Sequence, residues 1–111
     1  TKRTKAGIQN AYLDRFARQM MKMARIPLSK HMKLTKLDRL FLHSLGHGVG
    51  LEIHEGLNLT SRKGAKRMKL LQNEVITIEP GIYFAGKWGM RIEDTVFVTR
   101  KVGQKLTHAR Y

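Results

Sequence analysis

A chain of 111 residues that is 41% apolar is long enough for one domain or for part of a larger one, and it has no apolar run near the roughly 18 residues that cross a bilayer. The absence of cysteine excludes disulfides and thiolate metal sites, so a bound metal would take oxygen and imidazole nitrogen ligands. Its 22 Lys and Arg residues against eight Asp and Glu give a formal net charge of +14, which favours a polyanion or an acidic protein surface as partner unless the charge is simply solvated.

Residues 6–25 are predicted to form an amphipathic helix, with Thr4 as a candidate N-cap and Pro27 as its end. The apolar stripe follows a spacing of four and comprises Ile8, Tyr12, Leu13, Phe16, Met20, Met23 and Ala24. The methionines that we expect to fill the core are Met20, Met21 and Met23.

The rest of the chain is predicted to be rich in β-structure. In chain order we expect an irregular basic connector over residues 28–39, a strand over 51–55, a basic loop over 61–69, and strands over 74–78, 82–85 and 90–99. In the last strand one face would carry Ile92, Val96 and Val98, and the other Arg91, Glu93, Thr95 and Phe97. A helix followed by a β-rich part predicts an α+β fold, with residues 1–36 as basic helix and connector and residues 37–111 as the β half.

Imidazoles and carboxylates are the candidates for chemistry. His47 lies in a glycine-rich stretch and His54 follows seven residues later, but either one alone is adequately explained as a structural histidine. A carboxylate within a strand, such as Glu93, is costly to bury unless it is paired with a cation, as it could be with Arg91, or binds a metal. Together, the imidazoles of His47 and His54 and the carboxylates of Glu79 and Glu93 form a donor set suited to Mn, Fe, Co or Zn.

Three segments carry a resemblance to a known family: FLHSLGHGVGLEIHEGLNL, NEVITIEPGIYFAGKWGMRIEDTVFVT and KLTH. In order and spacing they resemble the C-terminal half of the catalytic domain of the pita-bread metallopeptidases. The RIEDT segment resembles the Xaa-Pro aminopeptidase and prolidase branch more than the related methionine aminopeptidases. The resemblance therefore implies the C-terminal half of a pita-bread (creatinase/aminopeptidase) fold, in which one N-terminal helix precedes antiparallel strands.

The resemblance also implies roles for the matching residues. The implied metal ligands are His47, Glu79 and Glu93, with Glu93 bridging two ions and Glu79 also moving protons as acid and base. The implied catalytic residues are His43, His54, Glu79 and Arg91: the histidines face substrate and steady the tetrahedral intermediate, and Arg91 lies beside the bridging carboxylate. The implied cofactor is a divalent metal, manganese or else cobalt, iron or zinc.

One part of the family's ligand set is missing. Members of the family bind metal through two Asp, one His and two Glu, and the Asp pair lies in the first half of the catalytic domain. The aspartates of this chain are Asp14 on the predicted helix, Asp38 in the connector and Asp94 in RIEDT, and none has the strand context of that pair. We therefore expect two ions only if the Asp pair is supplied from elsewhere, and no activity from the chain alone.

Two functions remain open from the sequence. One is a metal-dependent hydrolase of peptides with proline at the second position, completed by a second polypeptide or by self-association. The other is an inactive family remnant that acts as a basic binding module in an RNA-containing assembly, such as the ribosome, or in a protein assembly. The basic loop over residues 61–69 is the best candidate for such contacts. In both cases we expect a cytoplasmic protein without membrane contact.

Overall fold

The structure, a computed structural model, describes residues 2–24 and 37–108, and at positions 37 and 38 the backbone alone. Its elements are helix α1 (Asn10–Met23), a 3₁₀ turn (Leu37–Leu40), and strands β1 (Gly46–Val49), β2 (Asn58–Leu59), β3 (Val75–Ile78), β4 (Gly81–Phe84), β5 (Trp88–Arg91), β6 (Asp94–Val98) and β7 (Gly103–Lys105). In this part of the chain no helix has the length and apolar character needed to span a membrane.

Five strands form one antiparallel sheet in the order β2-β1-β3-β6-β7, and β4 and β5 form a separate hairpin. The central pair, β3 and β6, is in register with Thr77 opposite Thr95 and Ile78 opposite Asp94. Helix α1 packs on this sheet through one apolar core. The buried members of that core are Leu13, Phe41, Leu45, Leu57, Leu59, Leu70, Ile76, Val96 and Val98.

The helix is confirmed, but the predicted apolar stripe is not the face that it buries. Its buried residues are Asn10, Ala11, Leu13 and Asp14, whereas Tyr12, Met20 and Met23 are 37%, 50% and 68% exposed. Polar anchors explain the difference. The Asn10 amide donates to the carbonyls of Asn58 and Lys66, and its oxygen accepts from the backbone of Ala11 and Met68, so this face is turned toward the β half. Of the three methionines expected in the core, only Met21 packs against it.

The helix ends also differ from the prediction. The N-cap residue is Gln9, without a side-chain capping bond, and Thr4 is instead buried. A Cβ at Gly103 would lie only 2.8 Å from the Thr4 Cβ, so the segment before the helix packs closely on β7. The helix ends at Met23, where Ala24 is already extended, so it stops before the predicted last residue at position 25. Pro27 itself and the connector up to residue 36 lie outside the described residues.

Two of the strand predictions are wrong. Residues 51–55 form an exposed loop instead of a strand. The strand in this region is β1, which lies earlier in the chain, at Gly46–Val49. Backbone bonds from Glu55 to the Gly48 carbonyl (2.9 Å) and from Gly48 to the Leu57 carbonyl (2.8 Å) close this loop. The predicted strand over residues 90–99 is broken into β5 and β6, because Ile92 donates to the Pro80 carbonyl as the chain passes from the hairpin to the sheet. Ile92 is consequently 38% exposed and does not share the buried face of Val96 and Val98.

Candidate metal centre

His47 on β1 and Glu79 at the end of β3 form the centre of the site. The Nε2 atom of His47 lies 3.3 Å from Oε1 of Glu79, and the two side chains are only 15% and 12% exposed. Strand pairing brings them together, since β1 and β3 are neighbours in the sheet. The backbone N–H of Glu79 donates to the Leu45 carbonyl at 2.8 Å, which fixes the chain where β3 ends.

The buried hydroxyl of Thr77 links these two residues. Its Oγ1 accepts the backbone N–H of His47 at 3.1 Å and lies 3.3 Å from Oε1 of Glu79, to which it can donate. Glu79 follows β3 directly, two positions after Thr77, so the alternation of side chains places it on the same face of the sheet. The hydroxyl thus orients the carboxylate relative to the strand that carries the imidazole.

The tautomer of His47 decides what can lie between the two side chains. Nδ1 is 3.0 Å from the Gly48 carbonyl, and because a carbonyl can only accept, Nδ1 carries a hydrogen. In the neutral ring Nε2 then presents a lone pair to the carboxylate, so a proton or a cation must lie between them. Two ligand atoms of one ion lie about 3.0–3.4 Å apart when each bond is about 2.1 Å long. The observed 3.3 Å separation therefore fits two ligands of one metal ion.

Arg91 stands between the two carboxylates of the site. Its Nε is 3.6 Å from Oε2 of Glu79, and its Nη2 is 3.5 Å from Oε2 of Glu93. Glu93 lies in the break between β5 and β6 and its side chain is 40% exposed. Among the described side chains, those of residues 2–24 and 39–108, no three His, Asp or Glu are gathered closely enough to hold a metal by themselves. The role of Glu93 as a metal ligand therefore stays a prediction.

The other two predicted histidines have different neighbours. The His54 ring, on the exposed segment 50–56, lies 4.0 Å from the His47 ring between centroids. His43 precedes β1, and its Nδ1 donates to the Ser44 carbonyl at 2.7 Å. Its Nε2 consequently accepts from the Tyr83 hydroxyl, which is 2.8 Å away. The structure thus places His54 beside His47, and His43 beside β4.

Sequence reasoning did not single out Thr77 or Tyr83. A signal existed for Thr77, because a hydroxyl two positions before a ligand on the same strand shares its face. No local signal existed for Tyr83, since its contact with His43 joins residues 40 positions apart. Asp14, rejected above as a metal ligand, has its Oδ2 atom occupied by Arg18 and Ser61.

Comparisons with known proteins add an independent line of evidence. A sequence model described as metallopeptidase family M24 matches residues 1–100. The Xaa-Pro dipeptidase of Pyrococcus furiosus is 51% identical over 67 residues, which are 60% of this chain and 18% of that protein. The solved structure of the prolidase from Pyrococcus furiosus superposes with a TM-score of 0.80 at 38% identity, over 97% of this chain and 28% of that one.

A second solved structure gives the same result. The X-Pro aminopeptidase from Thermotoga maritima MSB8 superposes with a TM-score of 0.77 at 37% identity, over 96% of this chain and 26% of that one. The present chain spans about a fifth of the length of the curated relatives that it matches and about a quarter of these solved chains.

Proposed function

The chain belongs to metallopeptidase family M24, and on that premise we propose that it forms the metal-binding C-terminal part of a hydrolase that acts on peptides with proline at the second position. The observation that carries this proposal is the contact between Nε2 of His47 and Oε1 of Glu79 at 3.3 Å. Both side chains are largely withdrawn from solvent there, and a neutral imidazole requires a cation or a proton between them.

The predicted family and fold class are confirmed. The described residues form one α-helix and antiparallel sheets, and the solved relatives have the pita-bread fold of prolidases, of which this chain is a part. Peptidases of this family depend on divalent metals. Relatives named as Xaa-Pro dipeptidase support the substrate class that is proposed here for this chain.

In the proposed site His47 and Glu79 hold a divalent ion, with Glu93 completing the ligands that this chain can offer. Manganese is the proposed metal, with cobalt, iron and zinc as the alternatives that suit the same donors. A bound ion would supply Lewis-acid polarisation of the scissile carbonyl. A second ion requires two further carboxylates, which we assign to an Asp pair outside this chain.

The protein's own side chains perform the remaining steps. Glu79, held by the Thr77 hydroxyl and by Arg91, accepts the proton of the attacking water and passes it to the leaving amine. His54, beside His47, donates to the carbonyl oxygen as negative charge develops on it. His43 faces the substrate with its imidazole fixed between Ser44 and Tyr83. Arg91 holds both carboxylates in one arrangement and offsets their mutual repulsion.

A titration calorimetry experiment with Mn²⁺ tests the ligand assignment. The chain alone should bind at most one ion, weakly, because it offers three of the expected ligands. His47→Ala should abolish that binding, whereas Glu55→Gln, which alters an exposed carboxylate in the same region, should leave it unchanged. Tight binding of two ions by the isolated chain would contradict the assignment, and hydrolysis of an Xaa-Pro dipeptide should appear only once the Asp-bearing part is supplied.

A second candidate function rests on the exposed basic loop. Five of the eight residues 62–69 are basic, and all five are exposed: Arg62, Lys63, Lys66, Arg67 and Lys69. As a remnant without catalysis, the chain would bind RNA through this loop and its net charge of +14. Salt-dependent binding of single-stranded RNA that a Lys63→Gln, Lys66→Gln variant loses would support this function. RNA binding that the variant retains would count against it.

A further inference from the structure

We infer that Arg18, on helix α1, is the positioning residue that sets the orientation of His43. The inference rests on the proposed function in one respect, namely that His43 faces substrate. The contacts themselves are independent of it. No motif in the sequence pointed to Arg18, because it lies 25 positions before His43.

The guanidinium of Arg18 makes a separate contact with each of its nitrogens. Nε donates to Oδ2 of Asp14 at 3.0 Å, Nη1 to the Phe41 carbonyl at 3.0 Å, and Nη2 to the His43 carbonyl at 2.7 Å. The guanidinium carbon also lies 4.5 Å from the centre of the Phe41 ring. A planar group with donors in a fixed fork can satisfy three acceptors at once, whereas an ammonium group cannot hold this geometry.

The carboxylate of Asp14 holds the guanidinium of Arg18 in place. Its side chain is fully buried, and its Oδ2 also accepts from the backbone N–H of Ser61 at 2.9 Å and from the Ser61 hydroxyl. A carboxylate this deeply buried needs a cation beside it, and Arg18 lies one helical turn away. The guanidinium is therefore held by a buried carboxylate rather than by solvent-exposed groups.

Arg18, held by Asp14, acts as a clamp on the segment from Phe41 to His43, and this clamp reaches the His43 imidazole through the backbone. With the His43 carbonyl fixed by Arg18, the next carbonyl, of Ser44, points to Nδ1 of His43 and accepts its hydrogen. The ring packs edge-on against Phe41, 5.0 Å between centroids, and Phe41 is the same ring that Arg18 covers. Arg18 thus fixes both the peptide that carries the imidazole and the surface against which the imidazole rests. This leaves Nε2 aimed at the Tyr83 hydroxyl.

Nitrogen NMR of the His43 ring tests the clamp without any assay of hydrolysis. The variants are Arg18→Lys, which keeps a charge beside Asp14 and protects the fold, and Arg18→Gln. Arg15→Gln removes an equal charge from an exposed position of the same helix and is the matched control. The unaltered chain and the control should show His43 with hydrogen on Nδ1 alone. Both Arg18 variants should show a mixture of the two tautomers while the far-ultraviolet circular dichroism stays unchanged. His43 signals that are identical in all four proteins would overturn the inference.

A kinetic cycle tests the consequence for the assembly that hydrolyses Xaa-Pro peptides. Arg18→Lys should lower kcat by about 10- to 100-fold with little change in KM, since misplacing a catalytic group by about 1 Å costs on this order. In a His43→Gln background the same change should cost nothing further, because Arg18 acts through His43. An undiminished cost in that background would overturn the inference. Absence of hydrolysis by the unaltered assembly would instead reject the proposed function. The NMR result would still decide whether Arg18 sets the orientation of His43.

Discussion

Thr77→Val is the substitution that examines the geometry of the metal centre most finely. Thr77 is only 4% exposed, and valine keeps nearly its volume while removing the hydroxyl. Three contacts are lost together: the acceptor for the His47 N–H at 3.1 Å, the donor near Oε1 of Glu79 at 3.3 Å and the longer contact with the His47 carbonyl at 3.5 Å. Both of the proposed ligands depend on this one oxygen.

The magnitude follows from what the hydroxyl satisfies. A half-buried N–H left without its acceptor costs about 1–3 kcal/mol of folding stability. Loss of a partner that orients a metal ligand lowers metal affinity by about 10- to 100-fold. We therefore expect Thr77→Val to lower the free energy of unfolding by about 1–3 kcal/mol and the Mn²⁺ affinity by one to two orders of magnitude.

Urea unfolding and calorimetric Mn²⁺ titration measure the two effects. Thr95→Val is the matched control, because Thr95 lies directly opposite Thr77 on β6, and its bond to the Thr107 hydroxyl uses the backbone N–H that valine keeps. The control should leave Mn²⁺ affinity unchanged. Equal Mn²⁺ affinity in the Thr77 variant and the unaltered chain would refute the reasoning that this hydroxyl aligns the ligands.

Three further predictions concern the two histidines, the close approach at Gly48 and the buried Asp14. His54→Ala should retain Mn²⁺ binding but lose turnover in the proposed assembly with the Asp-bearing part, whereas His47→Ala should lose both. Equal loss of metal from the two variants in calorimetry would contradict this division. Gly48→Ala should lower the free energy of unfolding by about 1–3 kcal/mol, because the added Cβ would collide with the Glu55 carbonyl. A melting temperature equal to that of the unaltered chain would exclude the collision. Asp14→Ala should destabilise the fold by about 2–3 kcal/mol, since Arg18 and Ser61 lose a charged acceptor, and urea unfolding with an unchanged midpoint would show that this network contributes nothing.

The sequence was sufficient to predict an element wherever its local pattern agreed with its tertiary environment. The β-branched run before Glu79-Pro80-Gly81 predicted β3, and the structure has it at Val75–Ile78. The three quoted segments predicted the family and fold class, because they combine chemistry-bearing residues with fixed spacing. The pairing of His47 with Glu79 follows from that fold, since their strands are neighbours.

The rest depended on contacts that local pattern does not encode. Spacing of apolar residues placed Tyr12 and Met20 inward, but Asn10 and Asp14 are the residues that turn the helix toward the sheet, through partners about 47 to 58 positions away. A polar residue can define a buried face whenever its partners are available, and hydrophobic periodicity cannot show those partners. The contact of His43 with Tyr83 is likewise set by tertiary structure alone.

The central claim is that Nε2 of His47 and Oε1 of Glu79 are two ligands of one divalent ion. Anomalous diffraction from a crystal of the protein grown with Mn²⁺ measures this directly. The account predicts an anomalous peak within about 2.2 Å of both atoms. A peak bound elsewhere on the chain, or an imidazole of His47 that still contacts Glu79 with no metal between them at saturating Mn²⁺, would contradict it.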